Sequence, residues 1–292
     1  MPLESPATPA SRKRAVALAA LALACATGAA AAATVDYRFG GVQYRGDFGS
    51  DRDVRLEQYP FEISFNRPAS RLTLTLPYER IGRTGNVTLA ADGPVVLGAG
   101  GPGRPPYQTM ATGESASGRG DLLIRDELFI SRAGKGKRPA LAWVVDLKLP
   151  TADEKQGLGT GKRDWGFGLS YMQPLSACFQ IMGQALYRFM GDPEGIDFRN
   201  GLRASAGIAL VARRTTWRAL VENVPPVLDR VPFYDAAGVP IGIQEVTERR
   251  YARLDLTVRS QTGGTTRLGV TRGITQGAED VGFLLEFSTG GR

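Results

Sequence analysis

The sequence predicts an all-β fold: an antiparallel transmembrane β-barrel of about 12 strands, with short periplasmic turns and long extracellular loops. Apolar and polar residues alternate over long stretches of the chain, as in strands that have one apolar and one polar face. The segments that connect these stretches are short and long in turn. An export signal at the start of the chain fits the same class of protein.

Residues 1–33 have the three parts of a secretory signal peptide. Arg12–Arg14 form a positive segment, and Ala15–Ala24 contain only Ala, Val and Leu. That apolar run is well short of the ~20 residues that a membrane-spanning helix needs. The small residues Ala29–Ala33 then supply cleavage sites. We expect this segment to be removed, which leaves 34–292 as the barrel domain.

The histidine and cysteine content limits the chemistry that the chain can perform. There is no histidine, which excludes a serine–histidine triad, a histidine general base and a histidine-ligated metal. Of the two cysteines, Cys25 lies in the signal segment, so Cys178 has no disulfide partner. Lipid attachment at Cys25 is an alternative to cleavage, although Ala22 stands where a lipobox has a branched apolar residue. We expect no enzyme activity, metal or cofactor.

Alternation places the strands. Every second residue is apolar in segments such as 59–66, 141–149 and 165–171, whereas helical spacing is hard to find after the signal segment. We predict strands at 35–46, 54–66, 71–82, 119–131, 138–149, 163–173, 178–189, 199–212, 215–224, 248–259, 265–273 and 280–288.

The connections between these strands fall into two sets. The tight set is Arg67–Ser70, Arg132–Lys137, Pro174–Ala177, Arg213–Arg214 and Ser260–Gly264. The longer set, on the opposite side, is Asp47–Asp53, Arg83–Gly118, Pro150–Lys162, Met190–Phe198, Pro225–Thr247 and Gln276–Glu279. Alternate short and long connections are typical of outer-membrane barrels. The sequence leaves open whether 86–97 adds a hairpin within the second long connection.

A periplasmic β-sandwich is the structural alternative, because an antiparallel sheet that buries one face also alternates. The predicted strands are long for a sandwich, and a sandwich gives no reason for alternating loop lengths. Aromatic residues near strand ends resemble the girdles found at membrane interfaces. These residues are Trp165, Tyr171, Tyr187, Phe189, Trp217 and Tyr251. The barrel is therefore favoured.

If the apolar face meets lipid, the polar face lines the lumen. The candidates for the lumen wall are Glu62, Glu79, Asp146, Lys148, Gln180, Gln184, Arg188, Arg203, Arg218, Glu222, Arg253, Asp255 and Arg259. Charges of both signs are expected to pair across strands, since unpaired buried charge is costly. A barrel of about twelve strands is narrower than a porin of roughly 16. The sequence leaves open whether the lumen is open or plugged, for example by an inward fold of Arg83–Gly118.

The last predicted strand resembles the C-terminal signal by which the outer-membrane assembly machinery recognises barrel precursors. In that signal a polar residue is followed two places on by glycine, and then by an apolar and an aromatic residue two apart. Asp280, Gly282, Leu285 and Phe287 fill these places. Phe287 is not terminal, since Ser288–Arg292 follow it. The resemblance implies the assembly machinery as a partner.

Four stretches resemble the phenol-degradation (MetA-pathway) family of outer-membrane β-barrel transporters. Asp146–Thr151, Gly157–Gly161 and Asp164–Leu169 are similar to the central signature of the family, and Gly118–Leu122 to its strand-opening motif. Ala152 stands where the family has glycine. The resemblance implies an outer-membrane barrel that transports small, often aromatic or hydrophobic compounds. It carries over no catalytic residue.

The sequence therefore predicts a passive outer-membrane channel for small organic solutes, in contact with the lipid bilayer and lipopolysaccharide. A non-conducting structural or surface-interaction barrel that works through its extracellular loops is the alternative. Nucleic acid is not an expected partner, because the formal net charge of +7 is carried by basic residues dispersed among acids. For the channel, we expect neutralisation of Arg253 and Arg259 together to change ion selectivity without unfolding the barrel.

Overall fold

The computed structural model describes residues 34–46, 54–82, 87–90, 93–96, 115–133, 138–193, 197–228, 230–234, 240–245, 248–275 and 278–290. The predicted signal peptide, its cleavage and the alternative lipid attachment lie outside the described residues. No helix in these ranges is long and apolar enough to cross a membrane.

The described chain is almost entirely strand, with one 3-10 turn at Glu154–Gln156. The strands are β1 (Thr34–Gly46), β2 (Val54–Asn66), β3 (Ser70–Gly82), β4 (Val87–Ala90), β5 (Gly93–Val96), β6 (Ser115–Arg119), β7 (Leu122–Ser131), β8 (Ala140–Leu149), β9 (Asp164–Pro174), β10 (Phe179–Phe189), β11 (Gly201–Val211), β12 (Thr215–Val224), β13 (Arg230–Tyr234), β14 (Pro240–Glu245), β15 (Arg249–Arg259), β16 (Thr265–Gly273) and β17 (Val281–Ser288).

Thirteen of these strands form one antiparallel sheet that closes on itself. β17 pairs with β1, and β1 pairs with β2, so the last strand returns to the first. β6 and β7 follow one another along the same neighbour, β3, and together make one crossing of the wall. The result is a closed antiparallel barrel of twelve crossings, which confirms the predicted all-β transmembrane fold. The connections on the turn side span three to five residues, except for 132–139, and those on the other side span seven or more. The predicted alternation therefore holds except at 132–139, which is longer than a tight turn.

The main part of the predicted strand at 119–131 begins at Leu122 in the structure, and Ser115–Gly118 of β6 lie within the predicted connection Arg83–Gly118. Thr151 explains the break between β6 and β7. Its hydroxyl donates to the Gly120 carbonyl at 3.0 Å and accepts from the Leu122 N–H at 2.9 Å. The Gly120 N–H donates to the Pro77 carbonyl at 2.8 Å. A side chain from the next long loop thus supplies backbone hydrogen bonds between β6 and β7, so the strand breaks without leaving backbone groups unsatisfied.

Apolar side chains on the strands point outward and remain exposed. Phe39 and Phe283 are 54% and 57% exposed. The same outer surface carries Tyr59, Phe61, Trp143, Trp165, Phe167, Trp217, Val221, Leu254, Leu268 and Phe287. A sandwich in water would bury such a face in its core, whereas a transmembrane barrel presents it to lipid.

The aromatic residues predicted for the interfacial girdles face outward in five of the six positions, which are Trp165, Tyr171, Tyr187, Phe189 and Trp217. Trp165 stacks on Phe189 with 3.9 Å between ring centroids. The prediction is wrong for Tyr251, which lies on the inner wall opposite Glu222 of β12. Tyr251 shares the alternation of Arg253 and Asp255, and that alternation, not its aromatic ring, decides its face.

Two hairpins lie outside the barrel wall. β4 pairs with β5, so the segment 86–97 does contain an additional hairpin. β13 pairs with β14 in the connection between β12 and β15. The Leu89 side chain of the first hairpin is buried, and its N–H donates to the Gly157 carbonyl at 3.0 Å. The first hairpin is therefore bound to the neighbouring loop.

The loop end of the barrel contains an apolar cluster, which we name the loop-end cap. Leu89 and Leu158 of the two loops pack there against inward-facing residues of the wall, which are Val54, Leu56, Ile81 and Ala116. Leu56, Leu158 and Val54 are each 1% exposed. The long connections thus fold inward over this part of the lumen.

Candidate functional site

The inner wall encloses two adjoining polar cavities. The first, of about 420 Å³, is the central cavity; its lining includes Glu62, Arg125, Asp146, Lys148, Arg188 and Arg203. The second, of about 400 Å³, lies where the tight turns are, and we name it the turn-side vestibule. Its charged lining residues are Arg38, Arg71, Arg213, Arg214, Arg218, Arg259, Arg267 and Glu286. Arg38 and Arg71 line both cavities.

The residues predicted for the lumen wall are distributed between these cavities and their surroundings. Glu62, Asp146, Lys148, Arg188 and Arg203 line the central cavity, and Arg218 and Arg259 line the vestibule. Glu222, Arg253 and Asp255 lie on the same inner face as ion-pair partners. Gln180 and Gln184 follow the inward alternation of β10 but line neither cavity. Glu79 is buried and accepts from Gln58 at 2.8 Å. A role of these residues in conduction remains a prediction.

Asp146 is the centre of one ion-pair group in the central cavity. Arg125 donates to both of its carboxylate oxygens, with Nε–Oδ1 and Nη2–Oδ2 distances of 2.7 Å. Arg188 Nη2 adds a third bond to Oδ2 at 2.9 Å. Nearby, Arg203 forms an ion pair with Glu222 across β11 and β12. Bidentate guanidinium–carboxylate pairs fix side-chain geometry, so these groups form a fixed wall.

A second ion-pair group lines the seam where the barrel closes. Arg38 of β1 contacts Glu62 at 2.9 Å and Glu286 of β17 at 3.1 Å. Arg267 of β16 contacts the buried Asp255 at 2.7 Å, and Arg253 Nε lies 3.2 Å from the same carboxylate. Arg38, Arg125, Arg267 and Glu286 are not among the residues predicted for the lumen wall. They occupy inward positions of predicted strands, so the same alternation, extended to these positions, identifies them.

The stretches that resemble a family signature meet at a buried lysine. Lys148 Nζ donates to Thr160 Oγ1 at 2.6 Å and lies 3.1 Å from Asp121 Oδ2 and 3.0 Å from Asp164 Oδ2. Its side chain is only 2% exposed. These four residues, which we name the lysine cluster, join β8, β9 and the break between β6 and β7 to the loop between β8 and β9.

The remaining motif residues hold that loop, 150–163, against the wall. Asp121 Oδ1 accepts from the N–H groups of Thr151 and Ala152 at 3.0 Å each. A Cβ on Gly159 would lie 2.8 Å from Asp121 Oδ2, which leaves no room for a side chain. The loop thereby places Leu158 in the loop-end cap. The motifs therefore fix the loop that covers part of the lumen at its loop end.

The predicted assembly signal lies at the closing seam. Leu285 and Phe287 face outward on β17, and the Phe287 ring lies 5.4 Å from that of Phe39 on β1. Gly282 faces inward, where a Cβ would lie 2.6 Å from the Tyr44 ring. Asp280 directly precedes the strand. Recognition of these residues by the assembly machinery remains a prediction.

Groups that could serve chemistry other than permeation are few. The described residues contain no group of three or more Cys, Asp or Glu placed to hold a metal ion. Cys178 is a free, exposed thiol in the tight turn between β9 and β10. Its Sγ lies 3.6 Å from Ser176 Oγ, a contact within the turn itself.

Glu279, in the loop between β16 and β17, is a buried acid at the loop end. Burial raises the pKa of its carboxyl, an effect opposed by its own backbone N–H and by Arg249. An acid whose pKa is raised by folding contributes stability at low pH that is lost as the pH rises through the raised pKa. We expect Glu279→Gln to remove this loss, so that its stability relative to the natural protein increases from pH 4 to pH 8.

Urea unfolding in detergent, followed by tryptophan fluorescence at both pH values, measures this difference. Glu154→Gln changes an exposed carboxylate of another long loop and is the control. A Glu279→Gln curve that differs from the natural one by the same amount at both pH values would contradict the prediction.

Comparison with known proteins supports the fold. No protein-family model and no curated protein matches the chain. Among solved structures, the COG4313 outer membrane channel from Pseudomonas putida F1 is similar, with a TM-score of 0.62 and 13% identity over 90% of this chain and 96% of that one. This likeness shows a shared outer-membrane barrel fold.

Two further structures are similar at lower TM-scores. The NanC porin gives 0.47 with 8% identity, over 88% of this chain and 99% of that one. The Pseudomonas putida toluene transporter TodX gives 0.39 with 12% identity, over 88% of this chain and 89% of that one.

Proposed function

We propose that the protein is a passive outer-membrane channel for small organic solutes. The observation that supports this best is the pair of polar cavities inside the closed barrel, which adjoin at Arg38 and Arg71. Their volumes of about 420 and 400 Å³ lie in the range of small-molecule sites. Wall charges of this kind tune what a pore passes.

The finer parts of the proposal rest on the sequence. The motifs between Gly118 and Leu169 support aromatic or hydrophobic compounds as solutes, by their resemblance to the phenol-degradation family. Outer-membrane location, export with cleavage after residue 33 and contact with lipopolysaccharide belong to the same proposal. The exposed apolar side chains of the outer surface and the pattern from Asp280 to Phe287 support the outer-membrane location.

A non-conducting surface-interaction barrel is the second candidate. The loop-end cap favours it, because Leu89 and Leu158 cover part of the lumen with buried apolar side chains. Such a barrel would act through its long loops and would pass no current.

Planar-bilayer conductance separates the two candidates. We expect the protein, expressed as the full chain and extracted from membranes in detergent, to give discrete conductance steps. A heat-modifiable gel shift shows that the sample is folded. A folded sample that stays silent would overturn the channel and leave the surface-interaction barrel.

Arg253 and Arg259, whose joint neutralisation is predicted to change ion selectivity, have different surroundings in the structure. Arg253 contacts Asp255, whose side chain is fully buried, so its removal weakens a buried ion pair. Arg259 ends β15 at the vestibule, and no carboxylate of the described residues lies within 4 Å of it. Arg259→Gln alone is therefore the cleaner test of ion selectivity, with reversal potential in a salt gradient as the measurement.

A further inference from the structure

We propose that the turn-side vestibule binds the negatively charged head of an organic anion, so that the solutes of this channel include small carboxylates or phosphate esters. The proposal rests on the proposed channel function for its physiological meaning. The binding site itself stands on the geometry of the vestibule, and it is tested without conductance.

The charge of the vestibule is strongly one-sided. Seven of its fourteen lining residues are arginines, and Glu286 is the one carboxylate among them. Glu286 is already shared by Arg38 at 3.1 Å and Arg267 at 3.9 Å. Guanidinium groups keep their charge under all physiological conditions, so this cavity is positive throughout the working pH range.

Three of these arginines, Arg213, Arg214 and Arg259, have no carboxylate within 4 Å in the part of the chain that the structure describes. Arg218 lies opposite Asp255, a carboxylate that Arg253 and Arg267 already contact. By contrast, the central cavity pairs its arginines closely, as Arg125 and Arg188 do with Asp146. Several like charges around one cavity repel one another, and a bound anion relieves this repulsion.

The shape and chemistry of the vestibule suit an organic oxyanion. A volume of about 400 Å³ holds a small molecule and not merely one inorganic ion. The planar guanidinium fork matches carboxylate and phosphate oxygens in pairs. The hydroxyls of Thr216, Thr257 and Thr265 line the same cavity and supply further donors.

The two ends of the lumen differ in the charge of the residues that line them. Apolar residues of the loop-end cap cover part of the lumen at the loop end, whereas the turn side carries the arginines. A positive wall raises the local concentration of anions near it. The vestibule therefore attracts an anion toward the turn side, the periplasmic end of the predicted topology.

The test measures equilibrium binding by titration calorimetry of the detergent-solubilised protein. The probes are sodium benzoate, its neutral counterpart benzamide, and phenyl phosphate. We expect benzoate or phenyl phosphate to bind saturably, benzamide not to bind, and the affinity to fall as NaCl is raised. Arg218→Gln with Arg259→Gln should weaken anion binding about tenfold or more, because two charged donors are lost.

The matched control is Arg55→Gln with Arg80→Gln, which removes two exposed arginines from the outer face at the loop end. It lowers the net charge by the same amount and should leave anion binding unchanged. An equal loss in both double variants would overturn the proposal, as would binding of benzamide as tight as that of benzoate. Absence of binding by both anions would also overturn it.

Conductance of the same samples separates this inference from the proposed function. Anion binding that requires Arg218 and Arg259 in a silent barrel supports the vestibule site and contradicts the channel. Conductance without anion binding contradicts the vestibule site alone. The carboxylate and phosphate probes decide which oxyanion the site prefers.

Discussion

Replacement of Lys148 by methionine is expected to lower the free energy of unfolding of the barrel by about 3–5 kcal/mol. The ammonium of Lys148 lies within 3.1 Å of Asp121 and Asp164 and is almost completely buried. Methionine fills a similar volume but carries no charge, so two carboxylates would remain close together without the cation between them. An uncompensated buried charge is among the most destabilising changes in a protein.

Two variants separate the charge effect from the change in shape. Lys155→Met removes an exposed lysine of the same loop and should change stability by less than about 0.5 kcal/mol. Lys148→Met combined with Asp121→Asn and Asp164→Asn removes the whole charged group, and should recover much of the lost stability. Urea unfolding in lipid vesicles gives the three free energies. If the triple variant is no more stable than Lys148→Met, charge compensation is not the role of Lys148.

Lys148→Met should also loosen the loop between β8 and β9. Asp121 accepts from the backbone of Thr151 and Ala152, so disturbance of its position frees the loop entrance. Trypsin should then cut faster at the exposed Lys155 and Lys162. Loss of stability without faster cleavage would show that the lysine cluster holds the wall and not the loop.

The wall of this barrel could be predicted from sequence because alternation is a local property. In each strand the apolar residues at every second position face lipid. This pattern places Trp143 outside and Asp146 inside without any information about the neighbouring strands. Tyr251 shows that residue type alone does not predict the face on which a side chain lies. Its aromatic ring predicts a place in the outer girdle, whereas the alternation around it places the side chain inside.

The contacts inside the lumen could not be predicted, because they depend on register across strands and on loops. Alternation placed Lys148 on the inner wall but not beside Asp121, Thr160 and Asp164, which come from three other segments. Motif resemblance pointed to these stretches without indicating that they meet. The arginines of the vestibule were missed in part for the same reason: Arg213 and Arg214 lie in a turn, where alternation carries no information.

Replacement of Leu158 by serine is expected to open the loop end of the lumen. Leu158 is 1% exposed and packs in the loop-end cap with Leu89 and Leu56. Loss of a buried leucine side chain costs about 2–5 kcal/mol, and the serine hydroxyl adds an unsatisfied polar group. Since about 1.4 kcal/mol changes an equilibrium tenfold, the open population of the loop should rise at least about tenfold.

Single-channel recording measures this change as higher conductance or longer open time. The barrel wall should keep its heat-modifiable gel shift, because Leu158 belongs to a loop and not to a strand. Leu175→Ser, in the tight turn between β9 and β10, makes the same chemical change at an exposed position on the opposite side and should leave conductance unaltered. Unchanged conductance in a folded Leu158→Ser protein would mean that the cap does not limit flow. The paired charges around Asp146 would then be the candidate for the narrowest point of the lumen.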